Sequence, residues 1–395
     1  MSIIVEKNQR LRAEILKHLY YHKSLSINAL SKFAQRSIPL VTSAVTSLIA
    51  EGYIIEKGLA PSTGGRRPAT FLLNPDQKKY IVAVAMDQFI TRISVFDLGG
   101  RVVFRGEKLS LNISDAQLGL NQLTEFIKSS LKASAIAHGD FLGIGLGMPG
   151  FTDAVKGINY TFLQPGDGST LQEYLTRQLS LPVFIENDSY LVALAELKFG
   201  IAMGLKDVLV VNIGWGTGLG MIINGQLYRG SSGFAGEFSH IPLSDSNNLC
   251  SCGKRGCLEV NTSLKVMAER AEQALAEGAE SSMKTLFRDD SKLAGEHFLD
   301  AAAQYDPLAI SILSKSAFDL GKGLATLIHI MNPECIVLSG RGAKAGKALL
   351  PSIELAVNEF SIPRIAEQTK IKLSRLTDEA ELLGAASLVV EHIEL

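Results

Sequence analysis

The stretch YIVAVAMDQFITRISVFDLGGRVVFR, residues 80–105, decides the fold class. Tyr80 to Met86 is an apolar run of strand length, and Thr91 to Phe96 is a second. A third, Arg101 to Arg105, follows the turn Asp97-Leu98-Gly99-Gly100. Short runs rich in β-branched residues, separated by turn chemistry, read as strands joined by hairpins. A helical segment, Ala116 to Ala133, comes next, and then another apolar run, Phe141 to Gly147. Three hairpin-linked strands, a helix and a strand make an α/β lobe on a mixed sheet. The layout returns downstream. A second lobe is expected to begin near Val183, with Val208-Leu209-Val210-Val211-Asn212-Ile213 as its first long strand and the hairpin pattern repeated from Met221. This order predicts a duplicated pair of α/β lobes, 80–182 and 183–378, with a cleft between them. A C-terminal helix at about 379–392 is expected to return to the first lobe.

Upstream, Asn74-Pro75-Asp76-Gln77-Lys78-Lys79 is a polar linker, and residues 1–73 read as a separate domain. The net charge of −1 hides an asymmetry: residues 1–79 carry twelve Lys/Arg and five Asp/Glu, a net of +7, and the rest is acidic. A basic head on an acidic body suggests that the head meets a polyanion, although a lysine-rich solvated helix has the same composition. At 395 residues, 46% hydrophobic and 20% charged, the chain has the makeup of a multidomain globular protein. It has no apolar stretch near the roughly 18 residues that span a bilayer and no signal-peptide core at Met1 to Arg12. No membrane association and a cytoplasmic location are expected.

The head has a recognisable order. Residues 7–21 form an amphipathic helix with Leu11, Ile15, Leu16 and Leu19 on one face. Ser26 is a natural N-cap for a second helix through Ile27, Leu30 and Phe33. Ser37-Ile38-Pro39 starts a third, because proline in a first turn lacks only an N–H that would be unpaired anyway. Its buried stripe is Val41, Ala44, Val45 and Leu48; Ser37 sits at its cap, and Pro39, Thr42, Ser43 and Thr46 face outward. Small hydroxyl side chains let such a helix lie close to base edges and phosphates. A hairpin follows, Tyr53-Ile54-Ile55 to Thr70-Phe71-Leu72-Leu73, with Arg66 and Arg67 near its tip. Helix, helix-turn-helix and arginine-tipped hairpin make a winged helix. Its third helix is expected in the major groove, and its arginines at a phosphate or in the minor groove. A helical dimerisation module with a basic hairpin is the competing reading. His18 and His22, spaced i and i+4, lack a third ligand nearby and read as helix-surface residues.

Three of the four cysteines, Cys250, Cys252 and Cys257, lie within eight residues, and His240 is ten residues before the first. Three thiolates and an imidazole satisfy tetrahedral zinc with no open position, the pattern of a structural site. Free thiols in a buried turn are the bland alternative.

The body resembles the ROK family of bacterial sugar kinases and sugar-responsive repressors. The resemblance runs from about residue 80 to Gly384-Ala385-Ala386. It rests on Gly145-Leu-Gly-Met-Pro-Gly150, Glu186-Asn-Asp188, Gly214-Trp-Gly-Thr-Gly-Leu-Gly220, Ala235-Gly-Glu-Phe-Ser-His240 and Cys250-Ser-Cys-Gly-Lys-Arg-Gly-Cys257-Leu-Glu259. It implies an α/β chain with an N-terminal winged helix-turn-helix followed by a two-lobed actin-like (ribonuclease H-like) sugar-kinase fold. It assigns His240, Cys250, Cys252 and Cys257 to a structural zinc, and Gly150, Asn187, Asp188, Glu237, His240 and Glu259 to a sugar. Acceptors and an amide suit a ring of hydroxyls, although Glu186 and Asp188 also fit as caps of the following helix. In kinases of the family, the aspartate matching Asp188 is the general base.

Kinase members begin with an Asp-x-Gly-Gly-Thr loop whose backbone approaches the phosphates of ATP. Here Asp87 remains but Phe89 and Ile90 replace the glycines, and bulky residues obstruct that approach. Asp97-Leu98-Gly99-Gly100 imitates the motif one strand later, as a hairpin turn. Gly216, Thr217 and Gly218 match the second phosphate loop; Gly340 and Gly342 match the adenosine side with Arg341 between them. Phosphoryl transfer from ATP and magnesium needs every part in place. Weak or absent kinase activity is therefore expected. The expected function is a repressor whose operator DNA affinity responds to a sugar, acting as a homodimer or higher homo-oligomer. A sugar kinase with an accessory DNA-binding head is the alternative.

Overall fold

In the computed structural model, which describes residues 3–59, 68–111, 113, 115–244 and 246–392, the opening stretch forms the middle of a mixed sheet. Tyr80–Met86 pairs antiparallel with Ile90–Asp97 and parallel with Phe141–Met148. The strand order is Val183–Asn187, Phe141–Met148, Tyr80–Met86, Ile90–Asp97 and Val102–Arg105, and Leu109–Ser110 also pairs with Ile90–Asp97. The helix Ala116–Ala133 starts where Asp115 accepts a bond from the Leu118 N–H, 3.0 Å away. Its Leu120, Leu123 and Ile127 share one core with Val82, Val84, Ile93 and Val95 of the strands. Asp97-Leu98-Gly99-Gly100 is the expected hairpin turn, with the Gly100 N–H on the Asp97 carbonyl at 2.9 Å and Gly100 at φ +78°.

The second sheet repeats this plan. Its order is Gln226–Tyr228, Thr217–Ile223, Val208–Ile213, Cys335–Ser339 and Lys370–Leu373. The first three strands are antiparallel neighbours, and the last two join in parallel. In both sheets a hairpin flanks a central strand that then pairs in parallel with a later one. The fold class read from the sequence holds.

One boundary differs. Val183 does not open the second lobe: Val183–Asn187 belongs to the first sheet, and buried Val183 and Ile185 join the core of that sheet. The chain divides into two compact units, one comprising Met1–Gly150, Ala154–Glu186 and Ala385–Leu395, the other Phe151–Asp153 and Asn187–Gly384. The C-terminal helix, Glu379–Glu391, therefore carries the chain back into the first unit. There it packs so closely on Phe141–Met148 that a Cβ on Gly145 would lie 1.9 Å from the Ala385 carbonyl oxygen.

The head folds within the first unit. Its helices are Ile3–His22, Ile27–Ala34 and Ile38–Ala50; the anticipated apolar stripes of the first and third are buried, whereas in the second Leu30 is buried and Phe33 is exposed. Ser26 caps the second helix through the Ala29 N–H at 3.3 Å. Ser37 holds the N-cap position of the third with extended backbone, but its side chain makes no capping bond. Strands Leu25–Ser26, Ala69–Leu73 and Ile54–Leu59 complete the winged-helix sheet, in that order. Arg66 and Arg67 lie outside the described residues. His18 and His22 stack on Phe33, with ring centroids 5.0 and 4.5 Å away, as ordinary helix-packing groups.

The head is fixed to the first lobe. The Tyr21 hydroxyl donates to Glu391 at 2.8 Å, Lys17 pairs with the same carboxylate at 3.7 Å, and Lys23 donates to the Gly99 carbonyl at 3.0 Å. Leu16, Tyr20, Tyr53 and Leu73 of the head line a small apolar cavity with Leu98, Leu142 and Val390 of the lobe. The segment 74–79 is likewise held, with Lys79 donating to the Gly139 carbonyl at 3.0 Å.

Candidate functional site

The loop between His240 and Leu258 gathers four ligand atoms. Backbone bonds tighten it, among them the Cys250 N–H to the Lys254 carbonyl at 2.8 Å, the Gly253 N–H to the Cys250 carbonyl at 2.9 Å and the Ser244 N–H to the Gly256 carbonyl at 2.9 Å. Gly253 and Gly256 take φ values of +82° and +75°, which L side chains disfavour. His240 Nδ1 lies 3.6 Å from Cys250 Sγ, Cys252 Sγ lies 3.6 Å from Cys257 Sγ, and all four ligand atoms fall within 4.8 Å of one another. A tetrahedral ion about 2.3 Å from sulfur and about 2.0–2.1 Å from nitrogen sets its ligands about 3.5–3.8 Å apart, so the cluster fits a metal such as zinc. Burial and the neighbouring sulfurs push the Cys257 thiol up to about 12, so joint ionisation requires positive charge among the sulfurs. The other nitrogen of His240, Nε2, faces Glu237 Oε2 at 3.6 Å.

The same unit holds a group of crowded carboxylates. Asp188 opens the helix Asp188–Phe199, but Asn187 caps it, accepting from the Ser189 and Tyr190 N–H groups at 2.9 and 3.2 Å. The capping alternative for Glu186 and Asp188 thus belongs to Asn187. Burial, then the charge of Glu381, push the Asp188 carboxyl up to about 7; the Ser189 N–H and hydroxyl oppose this, and Glu237 adds a smaller push. Glu259 is also pushed up to about 7, mainly by burial, against bonds from the Thr217 N–H and the Ser239 hydroxyl. Burial raises Glu237. Glu237 thus acts on both Asp188 and Glu259 and touches His240, so four of the predicted residues share one electrostatic neighbourhood. Near neutral pH such carboxyls offer both donors and acceptors. Glu381 joins them from the C-terminal helix, and no sequence spacing announces that approach. Gly150 sits in the first unit at φ +89°, where a Cβ would lie 2.7 Å from that of Thr161.

The loops matched to nucleotide binding have other occupations. Asp87 closes its own turn: its Oδ1 accepts from the Phe89 and Ile90 N–H groups, both at 2.7 Å. Two backbone donors that a phosphate loop would aim at its ligand are therefore already used. In the second loop, the Thr217 N–H donates to Glu259 at 2.9 Å, and the Thr217 hydroxyl meets that of Thr262 at 3.0 Å. The glycines meet packing demands. A Cβ on Gly218 would lie 2.0 Å from the Ser189 hydroxyl, one on Gly340 2.2 Å from Asn212 Oδ1, and one on Gly342 2.3 Å from an Ile213 methyl. A Cβ on Gly216 would crowd Glu259 at 2.9 Å. Arg341, between two of the glycines, is buried and pairs with Glu296 at 3.2 Å.

On the head, Pro39, Thr42, Ser43 and Thr46 are exposed as predicted, and so is Ser37. Two hydroxyls are not free donors: Thr42 donates to the Ile38 carbonyl at 2.8 Å and Thr46 to the Thr42 carbonyl at 2.9 Å. Ile38 and Leu40 are exposed on the same helix and escape a sequence reading, because an apolar side chain near a helix start reads first as core.

The ROK family model matches residues 92–392 of the chain. A xylose repressor of Caldicellulosiruptor bescii is 28% identical over 383 residues, covering 96% of this chain and 95% of its own. A glucokinase of Halalkalibacterium halodurans is 29% identical over 316 residues, covering 80% of this chain and 96% of its own. Among solved structures, a ROK family transcriptional regulator described as a homolog of the Escherichia coli MLC protein superposes with a TM-score of 0.75. That structure is 25% identical, and the match covers 97% of this chain and 96% of the other.

Proposed function

We propose that this chain, which belongs to the ROK family, is a transcriptional repressor that binds operator DNA with its winged-helix head and responds to a sugar. Asn187, Asp188, Glu237, His240 and Glu259 bind that sugar. The observation that carries the reading is Asp87, which occupies the N–H groups of Phe89 and Ile90 while the chain keeps its carboxylate cluster. A chain that keeps polar groups for a sugar but closes a phosphate loop on itself suits sensing. The relatives support this division: the match to the repressor covers 96% of this chain, and that to the glucokinase covers 80% of it.

His240, Cys250, Cys252 and Cys257 hold a structural zinc, which locks the loop when bound. The loop then keeps Glu259 against Thr217 and turns Nε2 of His240 toward Glu237 and the sugar hydroxyls. Asp188, protonated through much of the range below pH 7, donates to one hydroxyl and accepts from another. The repressor works in the cytoplasm as a homodimer on a palindromic operator, with half-sites about 34–36 Å apart or multiples of that.

The second reading, a sugar kinase with an accessory DNA-binding head, draws on the same Asp188: a carboxyl poised near 7 suits a general base. One experiment separates the two. The protein is screened for thermal stabilisation against pentoses, hexoses and N-acetylhexosamines, and each stabilising sugar is then incubated with ATP and magnesium. Stabilisation without sugar phosphate formation is expected. Turnover at about 1–100 per second, the ordinary range for kinases, overturns the sensing-only reading.

A further inference from the structure

The outward face of the helix Ile38–Ala50 has a chemistry that the hydroxyl pattern does not convey. No charged residue and no Asn or Gln occurs anywhere in it. Ile38 is 50% exposed, Leu40 48% and Ile49 40%, large apolar groups left on a surface otherwise built of Pro, Ser and Thr. Thr42 and Thr46 spend their hydroxyl protons on carbonyls of their own helix, at 2.8 and 2.9 Å. What remains outside is methyl groups, acceptor lone pairs and the hydroxyl of Ser43. This face has no guanidinium for the O6 and N7 of guanine and no amide for the N6 and N7 of adenine, the bidentate contacts that distinguish purines. The apolar feature of the major groove is the C5 methyl of thymine.

The occupant of such a face follows from its setting. It belongs to a helix-turn-helix head whose residues 1–79 carry a net +7, which suits a polyanion and disfavours a second copy of the same basic surface. Resting on the reading that the head binds DNA, we infer that this helix reads thymine methyl groups through Ile38, Leu40 and the methyls of Thr42 and Thr46. The base pairs beneath it are therefore A·T, and its sequence preference is set by apolar contact. Ile38 and Leu40 are specificity-determining residues in this scheme; charged contacts to phosphate come from outside the helix and set affinity without setting sequence.

The test selects duplexes from a randomised DNA pool with the full-length protein and resynthesises the winner with deoxyuridine in place of thymidine. That change removes only the C5 methyl and leaves base pairing and charge intact. Each methyl removed under the helix is expected to weaken binding about 3- to 5-fold, the effect of deleting one buried methyl group. Leu40→Ala should bind the thymidine duplex more weakly and lose most of this sensitivity, with an unchanged salt slope and thermal transition. Equal affinity for the two duplexes, or G·C pairs at these positions, overturns the inference. So does a Leu40→Ala variant that loses self-association while its response to the methyl stays as in the parent. A protein that enriches no sequence overturns the DNA-binding reading beneath the inference.

Discussion

Asp188→Asn changes one atom and removes one titration, and its effect on stability should depend steeply on pH. In the folded chain the Asp188 carboxyl is pushed from an ordinary 3.8 up to about 7, chiefly by burial and the charge of Glu381. Between those two values the folded state keeps a proton that the unfolded chain gives up. Stability therefore falls as pH rises from about 4 to about 7 and then levels off. At roughly 1.4 kcal/mol per pKa unit, a shift of about three units amounts to a destabilisation of about 4 kcal/mol above pH 7, as an upper bound. Asparagine cannot ionise and keeps the shape and an acceptor for the Ser189 N–H. The stabilisation by Asp188→Asn should thus grow by about 3 kcal/mol between pH 5 and pH 8. For a unit of this size, this corresponds to a gain in Tm on the order of 6–10 °C. Differential scanning calorimetry of both proteins across that pH range reads the difference directly. A Tm difference that stays constant with pH, or an asparagine variant less stable than the parent at pH 8, would refute the argument.

The remaining predictions concern the wing, the metal loop and one glycine. Replacing Arg66 and Arg67 by alanine should weaken DNA binding at every sequence and reduce the slope of log affinity against log salt by about 0.9 for each phosphate no longer neutralised, measured by fluorescence anisotropy. Cys250→Ser should abolish stoichiometric zinc, assayed by metal analysis of the purified protein, and with it the thermal stabilisation by sugar. Full sugar response in a zinc-free variant would sever the proposed link between loop and pocket. Gly340→Ala should lose several kcal/mol in urea denaturation, because residue 340 sits at φ +75° and its Cβ would lie 2.2 Å from Asn212 Oδ1.

The parts legible in the sequence are those where one local pattern determines the outcome. The stripe of Val41, Ala44, Val45 and Leu48, the cap at Ser26 and the cysteine spacing each follow from neighbours a few residues away, and each appears in the structure. The parts that escape a sequence reading depend on distant partners. Val183–Asn187 has the same apolar character whichever sheet it joins, so its membership in the first sheet is a tertiary fact. Glu381 meets Asp188 only because the C-terminal helix returns. Phe89 and Ile90 point to an obstructed phosphate loop through their bulk, but in sequence the carboxylate that closes that loop reads only as a remnant of the motif. Ser37 fits every compositional rule for a cap and makes no cap bond, while Asn187 caps a helix that its acidic neighbours are equally suited to cap.

The most direct test of a sugar-responsive repressor is the coupling between its two ligands. The dissociation constant for the selected DNA duplex is measured with and without a saturating, thermally stabilising sugar, and that for the sugar with and without the duplex. A repressor of this kind should show both constants shifting by the same factor, within the range of about 5- to 150-fold typical of allosteric coupling. Two constants that each ignore the other ligand would contradict the account.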